Sequence, residues 1–162
     1  LIQANPLTGI KAAFKKPKKE NMAALTPAEL PELMSAIANA SIKRTTRCLL
    51  EWQLHTMTRP AEASGARWDE INWEEKVWTI PAERMKKRRE HRIPLTEQML
   101  ALLEVMKPIS GHRDFIFPSD RDPKKPCNSQ TANMALKRMG FAGRLVSHGL
   151  RSLASTTLNE QG

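Results

Sequence analysis

The residues best suited to chemistry are two arginines far apart in the sequence, Arg59 and Arg151. Arg59 precedes Pro60, which disfavours helical backbone before it and can itself open a helix, so the sequence predicts a junction between two helices there. Glu62 follows one helical turn later and can face back toward Arg59. His148 and Arg151 are spaced to share one face of a helix. Together these groups would form a site for a phosphate, whose oxygens match the guanidinium fork.

The charge balance favours a polyanionic partner. The 162 residues include 26 Lys and Arg against 17 Asp and Glu, a net charge of +9, which indicates nucleic acid first and an anionic membrane surface second. Two basic clusters are candidate contacts to double-stranded DNA: Lys15, Lys16, Lys18 and Lys19 near the start of the sequence, and Lys86, Lys87, Arg88 and Arg89 in its middle. The alternatives are a solvated arm for the first cluster and a solvated hairpin tip for the second.

Other classes of site have little support in the sequence. No run is long and apolar enough to span a bilayer, and no secretory signal opens the sequence, so we expect no membrane insertion. The two cysteines, Cys48 and Cys127, make no disulfide framework, and the four histidines lack metal-ligand spacing. We therefore predict a cytoplasmic protein without a metal site.

The apolar periodicity of the first part of the chain predicts helices. Thr26 is the N-cap of the first helix and Glu29 its capping-box partner, and the helix runs to about Asn39. A second helix is predicted at Ile42–Met57. A short helix then starts at Pro60.

In the middle of the sequence the period changes to that of strands. Ile71–Trp73, Val77–Ile80 and His91–Leu95 are predicted to form a small antiparallel sheet with short turns. The basic cluster Lys86–Arg89 then lies in the loop that joins the second strand to the third.

The remainder of the chain is predicted to be mostly helical. The expected elements are a helix that Thr96 caps and Pro108 ends, an extended segment Phe115–Pro118, a helix Ser129–Met139 stopped by Gly140, and a last helix His148–Leu158 capped by Ser147. The predicted fold is therefore α+β, mainly α-helical with a three-stranded antiparallel sheet. Residues 1–20 are typical of a basic linker, which leaves residues 21–162 as the folded domain.

Two motifs make this chain resemble the catalytic domain of the tyrosine recombinases, or phage integrases, and most closely those of prophages and genomic islands. The first is Thr58-Arg59-Pro60-Ala61-Glu62-Ala63 continuing to Arg67-Trp68. The second is Ser147-His148-Gly149-Leu150-Arg151 continuing to Ser155–Glu160. The resemblance implies that residues 1–20 are the linker from a core-binding domain, and that the catalytic domain is incomplete at its C-terminus.

The resemblance also implies a role for each matching residue. Arg59 and Arg151 would be the two catalytic arginines, which hold the scissile phosphate and stabilise its charge in the transition state. His148 would position the phosphate and manage protons, and Glu62 would support the site. Lys86 would donate a proton to the departing 5′ oxygen.

One residue that the family requires is missing, because the sequence contains no tyrosine. In the family a tyrosine attacks the phosphate to give a 3′-phosphotyrosyl intermediate, and it lies beyond the point where this sequence ends. We therefore expect the chain by itself to be inactive. The function implied for the parent protein is site-specific DNA recombination, such as viral genome integration, by a tetramer on DNA with no metal or other cofactor.

Three other functions compete with this one. A type IB topoisomerase would use related residues to relax supercoils without a defined target site. A non-catalytic DNA-binding module would keep the basic surface and lose nothing when Arg59 and Arg151 are replaced. A basic structural protein or membrane-surface binder would show no salt-dependent affinity for duplex DNA.

Overall fold

The structure, a computed structural model, describes residues 25–141. The helices in this range are α1 Leu30–Asn39, α2 Arg44–Thr56, α3 Pro60–Ser64, α4 Glu97–Ser110 and α5 Thr131–Leu136. Between α3 and α4 lie the strands β1 Ile71–Asn72, β2 Val77–Ile80 and β3 His91–Pro94. Short 3-10 turns cover Pro27–Glu29, Trp68–Glu70 and Ala82–Arg84. The predicted α+β architecture, mainly helical with one small antiparallel sheet, is confirmed.

The chain enters its first helix through the predicted contact between Thr26 and Glu29. The Glu29 carboxylate accepts hydrogen bonds from the backbone N–H and the hydroxyl of Thr26, at 3.1 and 3.0 Å. Since the first turn is a 3-10 turn, the α-helix itself begins at Leu30. The contact from Glu29 back to Thr26 is therefore present as predicted, but Glu29, not Thr26, is the N-cap residue of the α-helix.

The sheet is antiparallel with the strand order β1-β2-β3. Trp78 at its centre pairs with Ile71 on one side and with Ile93 on the other. All three side chains are buried, because opposite residues of neighbouring strands point to the same face. The Asn72 side chain accepts the Glu75 N–H at 3.0 Å, which closes the turn between β1 and β2. The prediction of three antiparallel strands is confirmed.

The hydrophobic core joins the sheet to α2 and α4. Trp52 of α2 and Trp78 of β2 are fully buried, with ring centroids 5.0 Å apart and ring planes tilted by 49°. Phe117 lies 6.4 Å from Trp52, and Leu103 of α4 is fully buried in the same cluster. Burial of each such side chain is worth about 1.5–3 kcal/mol. The cluster therefore holds the sheet, α2 and α4 together as the support of the site.

Pro108 does not end α4, contrary to the prediction, because the helix continues to Ser110. A proline removes only the N–H that would bond to the carbonyl four residues earlier, which here belongs to Glu104. The next turn closes normally, since the Gly111 N–H donates to the Lys107 carbonyl at 2.8 Å. Near the end of a helix the missing bond is tolerated.

Two other helix boundaries follow the predicted signals. The Thr96 hydroxyl oxygen accepts the Met99 N–H at 3.3 Å, which confirms the cap of α4. Gly140 has a φ of +92°, in the left-handed region that glycine adopts without steric cost, and it breaks the helical backbone as predicted, although the π-helical turn Lys137–Phe141 includes it. At the other end of this segment, α5 begins at Thr131 after a turn in which Asn128 is hydrogen bonded to the Gln130 N–H at 2.8 Å.

Candidate active site

The backbone that leads from α2 to Arg59 is held by local hydrogen bonds. Met57 adopts the left-handed conformation, with a φ of 54°, and its N–H closes the last turn of α2. The Thr56 hydroxyl donates to the Trp52 carbonyl at 2.7 Å and lies 2.9 Å from the Thr58 hydroxyl. Because the carbonyl can only accept, the single hydroxyl proton of Thr56 is used there, and Thr58 must be the donor between the two hydroxyls. The Thr58 proton is therefore engaged inside the protein.

Arg59 occupies the predicted junction between α2 and α3. Its backbone is extended, with φ −69° and ψ 153°, and Pro60 begins α3. Glu62 faces back as predicted: one carboxylate oxygen accepts the Arg59 N–H at 3.2 Å, and the other lies 3.6 Å from the Arg59 Nη1. The Arg59 side chain is 28% exposed and the Glu62 side chain 7% exposed. A buried carboxylate thus orients a guanidinium that still reaches solvent.

Arg59 and Glu62 line a pocket of about 290 Å³. The other lining residues come from two parts of the chain. The α2–α3 junction contributes Met57 and Thr58. The β2–β3 loop, residues 81–90, and the start of β3 contribute Met85, Lys87, Arg89, Glu90 and His91. Three cations and two carboxylates therefore share the pocket, and Glu62 is already paired with Arg59. The remaining positive charge suits an oxyanion such as phosphate.

All four members of the central basic cluster lie in the β2–β3 loop. All four are exposed, but Lys87 and Arg89 line the pocket, whereas Lys86 and Arg88 lie outside its lining. The loop turns tightly, because the Arg88 N–H donates to the Met85 carbonyl at 3.0 Å. Arg88 has a φ of 51°, a left-handed conformation that costs a non-glycine residue about 1–2 kcal/mol. Backbone strain of this kind persists only where the surrounding structure imposes it.

A second ion pair, which the sequence analysis missed, joins the β2–β3 loop to the turn before β1. The Arg84 guanidinium binds the Glu70 carboxylate bidentately, with Nε 2.8 Å from Oε2 and Nη2 2.7 Å from Oε1. Glu70 Oε1 also accepts the Trp78 indole N–H at 3.2 Å and the Arg67 N–H at 3.0 Å. The Arg84 and Glu70 side chains are only 21% and 6% exposed. Salt therefore screens this pair much less than a surface pair.

The spacing between Arg67 and Glu70 in the sequence could have predicted the hydrogen bond between these two residues. Arg67 and Glu70 repeat the three-residue spacing of Arg59 and Glu62. In both pairs the carboxylate accepts the N–H of the arginine, at 3.0 and 3.2 Å. The sequence spacing does not reveal that Arg84 also binds Glu70, because Glu70 precedes β1 and Arg84 follows β2. Only the folded β1–β2 hairpin brings these two residues together.

The other predicted site residues cannot be placed. His148, Arg151 and the cluster Lys15, Lys16, Lys18 and Lys19 lie outside the described residues. The convergence of Arg151 on Arg59 therefore stays a prediction. Between residues 25 and 141, the structure gathers no three His, Cys, Asp or Glu side chains that could hold a metal ion. None of the helices in that range is long and apolar enough to cross a membrane.

The two thiols are poorly suited to act as nucleophiles. Burial, with a smaller contribution from the Glu51 carboxylate, raises the pKa of the Cys48 thiol to about 11. Burial also raises the pKa of the Cys127 thiol to about 11. Since the thiolate is the reactive form, both groups are almost entirely unreactive at neutral pH.

The residues of this site lie within a region that matches a known family. Residues 23–162 match the sequence pattern of the phage integrase family. The chain belongs to the phage integrase family. Prophage integrase IntA of Escherichia coli strain K12 is 58% identical over 162 residues, and the integrase of Enterobacteria phage P4 is 33% identical over 175 residues. These matches cover 100% and 99% of this chain but 39% and 40% of the two relatives, so the integrase chain spans about two fifths of their length.

Solved integrase structures share the fold of this chain. A lambda integrase(75-356) dimer bound to a COC' core site matches 94% of this chain and 57% of its own, with 23% identity and a TM-score of 0.72. The Tn1549 transposon integrase in complex with a circular intermediate DNA matches 91% of this chain and 56% of its own, with 16% identity and a TM-score of 0.73. At these identities the likeness establishes the fold, and the predicted recombinase catalytic fold is confirmed.

Proposed function

We propose that this integrase chain is the part of a site-specific DNA recombinase that holds the scissile phosphate. The observation that carries the proposal is the junction at Arg59. Pro60 and the Glu62 carboxylate hold this arginine in place, in a pocket that Lys87 and Arg89 also line. Donors held in advance of the reaction need little reorganisation when negative charge develops on the phosphate oxygens. The relatives are named integrases, which favours recombination over the alternative of a type IB topoisomerase.

In the proposed reaction a tyrosine hydroxyl attacks the phosphorus atom. The tyrosine forms a 3′-phosphotyrosyl bond, and the 5′ oxygen of the DNA leaves with a proton. Attack by the 5′ hydroxyl of another strand then releases the tyrosine and joins the new ends. These 162 residues contain no tyrosine, so in this proposal the nucleophile comes from outside them.

The proposed roles follow from the chemistry of each side chain. Arg59 and Arg151 bind the non-bridging oxygens of the phosphate through their planar forks. His148 positions the phosphate and exchanges protons near neutral pH. Glu62 orients Arg59, and Lys86 donates the proton that the departing 5′ oxygen needs.

We further propose that residues 1–20 are a basic linker and residues 21–162 the catalytic domain. The start of the family match at residue 23 supports this boundary. Lys15, Lys16, Lys18 and Lys19 would contact the DNA backbone from the linker, and Lys87, Arg88 and Arg89 from the β2–β3 loop. A lambda integrase tetramer bound to a Holliday junction has this fold, which favours a tetramer on DNA for the protein that contains this chain. We also propose a cytoplasmic location, which a DNA substrate and the two free thiols, Cys48 and Cys127, would suit.

The test is covalent capture of DNA by the full gene product. We expect a nicked duplex that carries the attachment site to trap the protein as an adduct that survives denaturing electrophoresis. Arg59→Ala should lower adduct formation by at least about a hundredfold, the usual effect of removing one donor to a developing oxyanion. Arg92→Ala is the matched control, because Arg92 is an exposed arginine of β3 that lies outside the pocket lining.

Two results would contradict the proposal. An adduct that forms equally well in the Arg59→Ala variant would show that this arginine does not serve the phosphate. Relaxation of supercoiled DNA without any defined site, and without strand exchange between sites, would favour the topoisomerase alternative. The 162-residue chain by itself should form no adduct, since activated-nucleophile chemistry requires the nucleophile.

A further inference from the structure

We propose that Arg84 is a positioning residue, which sets the distance between Arg59 and the lysines of the β2–β3 loop. This inference rests on the proposed function, in which Arg59 serves the phosphate and Lys86 serves the departing oxygen. Arg84 does not line the Arg59 pocket. Its contribution therefore comes from holding the loop in place.

Arg84 connects the loop to the segment that carries Arg59. Its Nε and Nη2 bind Glu70, and its Nη1 lies 3.5 Å from the backbone carbonyl of Glu62. That carbonyl is open to Arg84 because the Ala66 N–H, which would reach it in a regular helix, donates to another carbonyl. Glu62 thus contacts Arg84 through its backbone and Arg59 through its side chain. Glu62 therefore connects Arg84 to Arg59.

The close approach of Arg84 depends on the absence of a side chain at Gly65. A Cβ atom added there would lie 2.5 Å from the Arg84 Nη1, well inside van der Waals contact. The φ of Gly65 is −87°, which any residue can adopt, so its backbone conformation does not require glycine. The requirement is space, first for the guanidinium and second for the Ala61 carbonyl oxygen, which would lie 3.1 Å from that Cβ.

The position of Arg84 in the loop determines which residues it controls. It ends the 3-10 turn Ala82–Arg84, and the next residue, Met85, packs against the core. Residues 86–90 follow, and all are exposed. Their placement therefore depends on the anchors at the two ends of this segment, of which Arg84 and Met85 form the first. Lys86 is two residues from Arg84, so a shift of that anchor moves Lys86 relative to Arg59.

The structural test is amide hydrogen exchange in the full chain. Arg84→Lys keeps the positive charge but loses the bidentate fork, and Gly65→Ala keeps Arg84 but displaces its guanidinium. We expect the two hydrogen-bonded amides of this segment, those of Met85 and Arg88, to exchange at least about tenfold faster in both variants, while the amides of α2 are unchanged. Arg92→Lys is the control. Arg92 lies on β3 and forms an exposed ion pair with Glu75, so this variant should leave exchange in the segment 85–90 unchanged.

The functional test separates an effect through Lys86 from a general loss of structure. The full gene product is given DNA in which sulfur replaces the bridging 5′ oxygen, because a thiolate leaves without needing a proton. The Arg84→Lys variant should form adduct at least about tenfold more slowly than the wild type on oxygen DNA and within about twofold of it on sulfur DNA. Arg59→Ala should remain defective on both substrates.

The outcomes distinguish this inference from the proposed function. Unchanged exchange at Met85 and Arg88 in both variants would overturn the positioning role, whatever the enzyme does. An equal loss on oxygen and sulfur DNA in Arg84→Lys would also overturn it, since the defect would not pass through the leaving group. If the wild type forms no adduct while the exchange result holds, the proposed function fails and Arg84 remains the anchor of the loop.

Discussion

Replacing Arg84 with methionine, which keeps an unbranched apolar stem, should reveal how much the Arg84–Glu70 pair stabilises the protein. The Glu70 carboxylate is 6% exposed and would lose its two hydrogen bonds from the Arg84 guanidinium, of 2.8 and 2.7 Å. It would keep the two neutral donors on Oε1, the Trp78 indole N–H and the Arg67 backbone N–H. Hydrogen bonds to charged groups are worth about 1.5–3 kcal/mol each, and removing one partner of a buried pair costs about 3–5 kcal/mol. Since Arg84 is 21% exposed, water weakens part of this interaction. We therefore expect the free energy of unfolding to fall by about 3 kcal/mol.

The assay is urea unfolding followed by the fluorescence of the tryptophans, read as a double-mutant cycle. Glu70→Gln removes the charge but keeps an oxygen that can accept the Trp78 and Arg67 N–H groups. The double variant Arg84→Met/Glu70→Gln should therefore be more stable than Arg84→Met alone by about 1–2 kcal/mol, because no buried charge is left without a partner. Arg92→Met provides the control.

The control defines the result that would refute this reasoning. Arg92 and its partner Glu75 are 57% and 62% exposed, and exposed pairs contribute about 0–1 kcal/mol. If Arg84→Met costs no more than Arg92→Met, burial of the Arg84–Glu70 pair has no energetic consequence. If the double variant is less stable than Arg84→Met, the uncompensated charge of Glu70 is not the source of the loss.

Three further predictions test the site and the fold. Vanadate or sulfate at matched ionic strength should raise the melting temperature of the chain by mass action, and Arg59→Ala but not Arg92→Ala should abolish this rise. Gly140→Ala should cost about 1–2 kcal/mol in urea unfolding, because φ is +92° and, among residues 25–141, an added Cβ meets nothing within 4 Å, which leaves backbone strain as the source of the cost; an unchanged midpoint would contradict this. At pH 8, iodoacetamide should alkylate the folded chain roughly a hundredfold more slowly than the unfolded chain, since the pKa values of Cys48 and Cys127 are raised from 9.0 to about 11; rapid labelling would contradict the raised pKa values.

Much of the fold was predictable because its signals are local. The Thr96 cap, the stop at Gly140 and the extended backbone of Arg59 before Pro60 each depend on residues within one turn of the chain. The pairing of Glu62 with Arg59 is of the same kind, since three residues of helix bring the two together. These predictions are confirmed because nothing distant in the sequence competes with them.

The prediction that Pro108 ends α4 was wrong for the opposite reason. The local cost of a proline is one hydrogen bond. The neighbouring Ser110 is fully buried, and its hydroxyl donates to the Ile116 carbonyl at 2.7 Å. This contact holds the last turn of the helix against the segment that follows it. The Ser110 carbonyl also accepts the Trp68 indole N–H at 2.8 Å, so a contact from a distant part of the chain holds the last turn that the local rule did not predict.

The sequence by itself determined the α+β class, the strands and the position of Arg59, and its motifs identified the family. Only the tertiary structure decided which cations share the pocket with Arg59, and it selected Lys87 and Arg89. It also decided that Arg84, from the same basic stretch, turns inward to Glu70 instead of outward to solvent. The physical reason is that the destination of a charged side chain depends on which buried partner lies within reach. That partner, Glu70, comes close to Arg84 only when β1 pairs with β2.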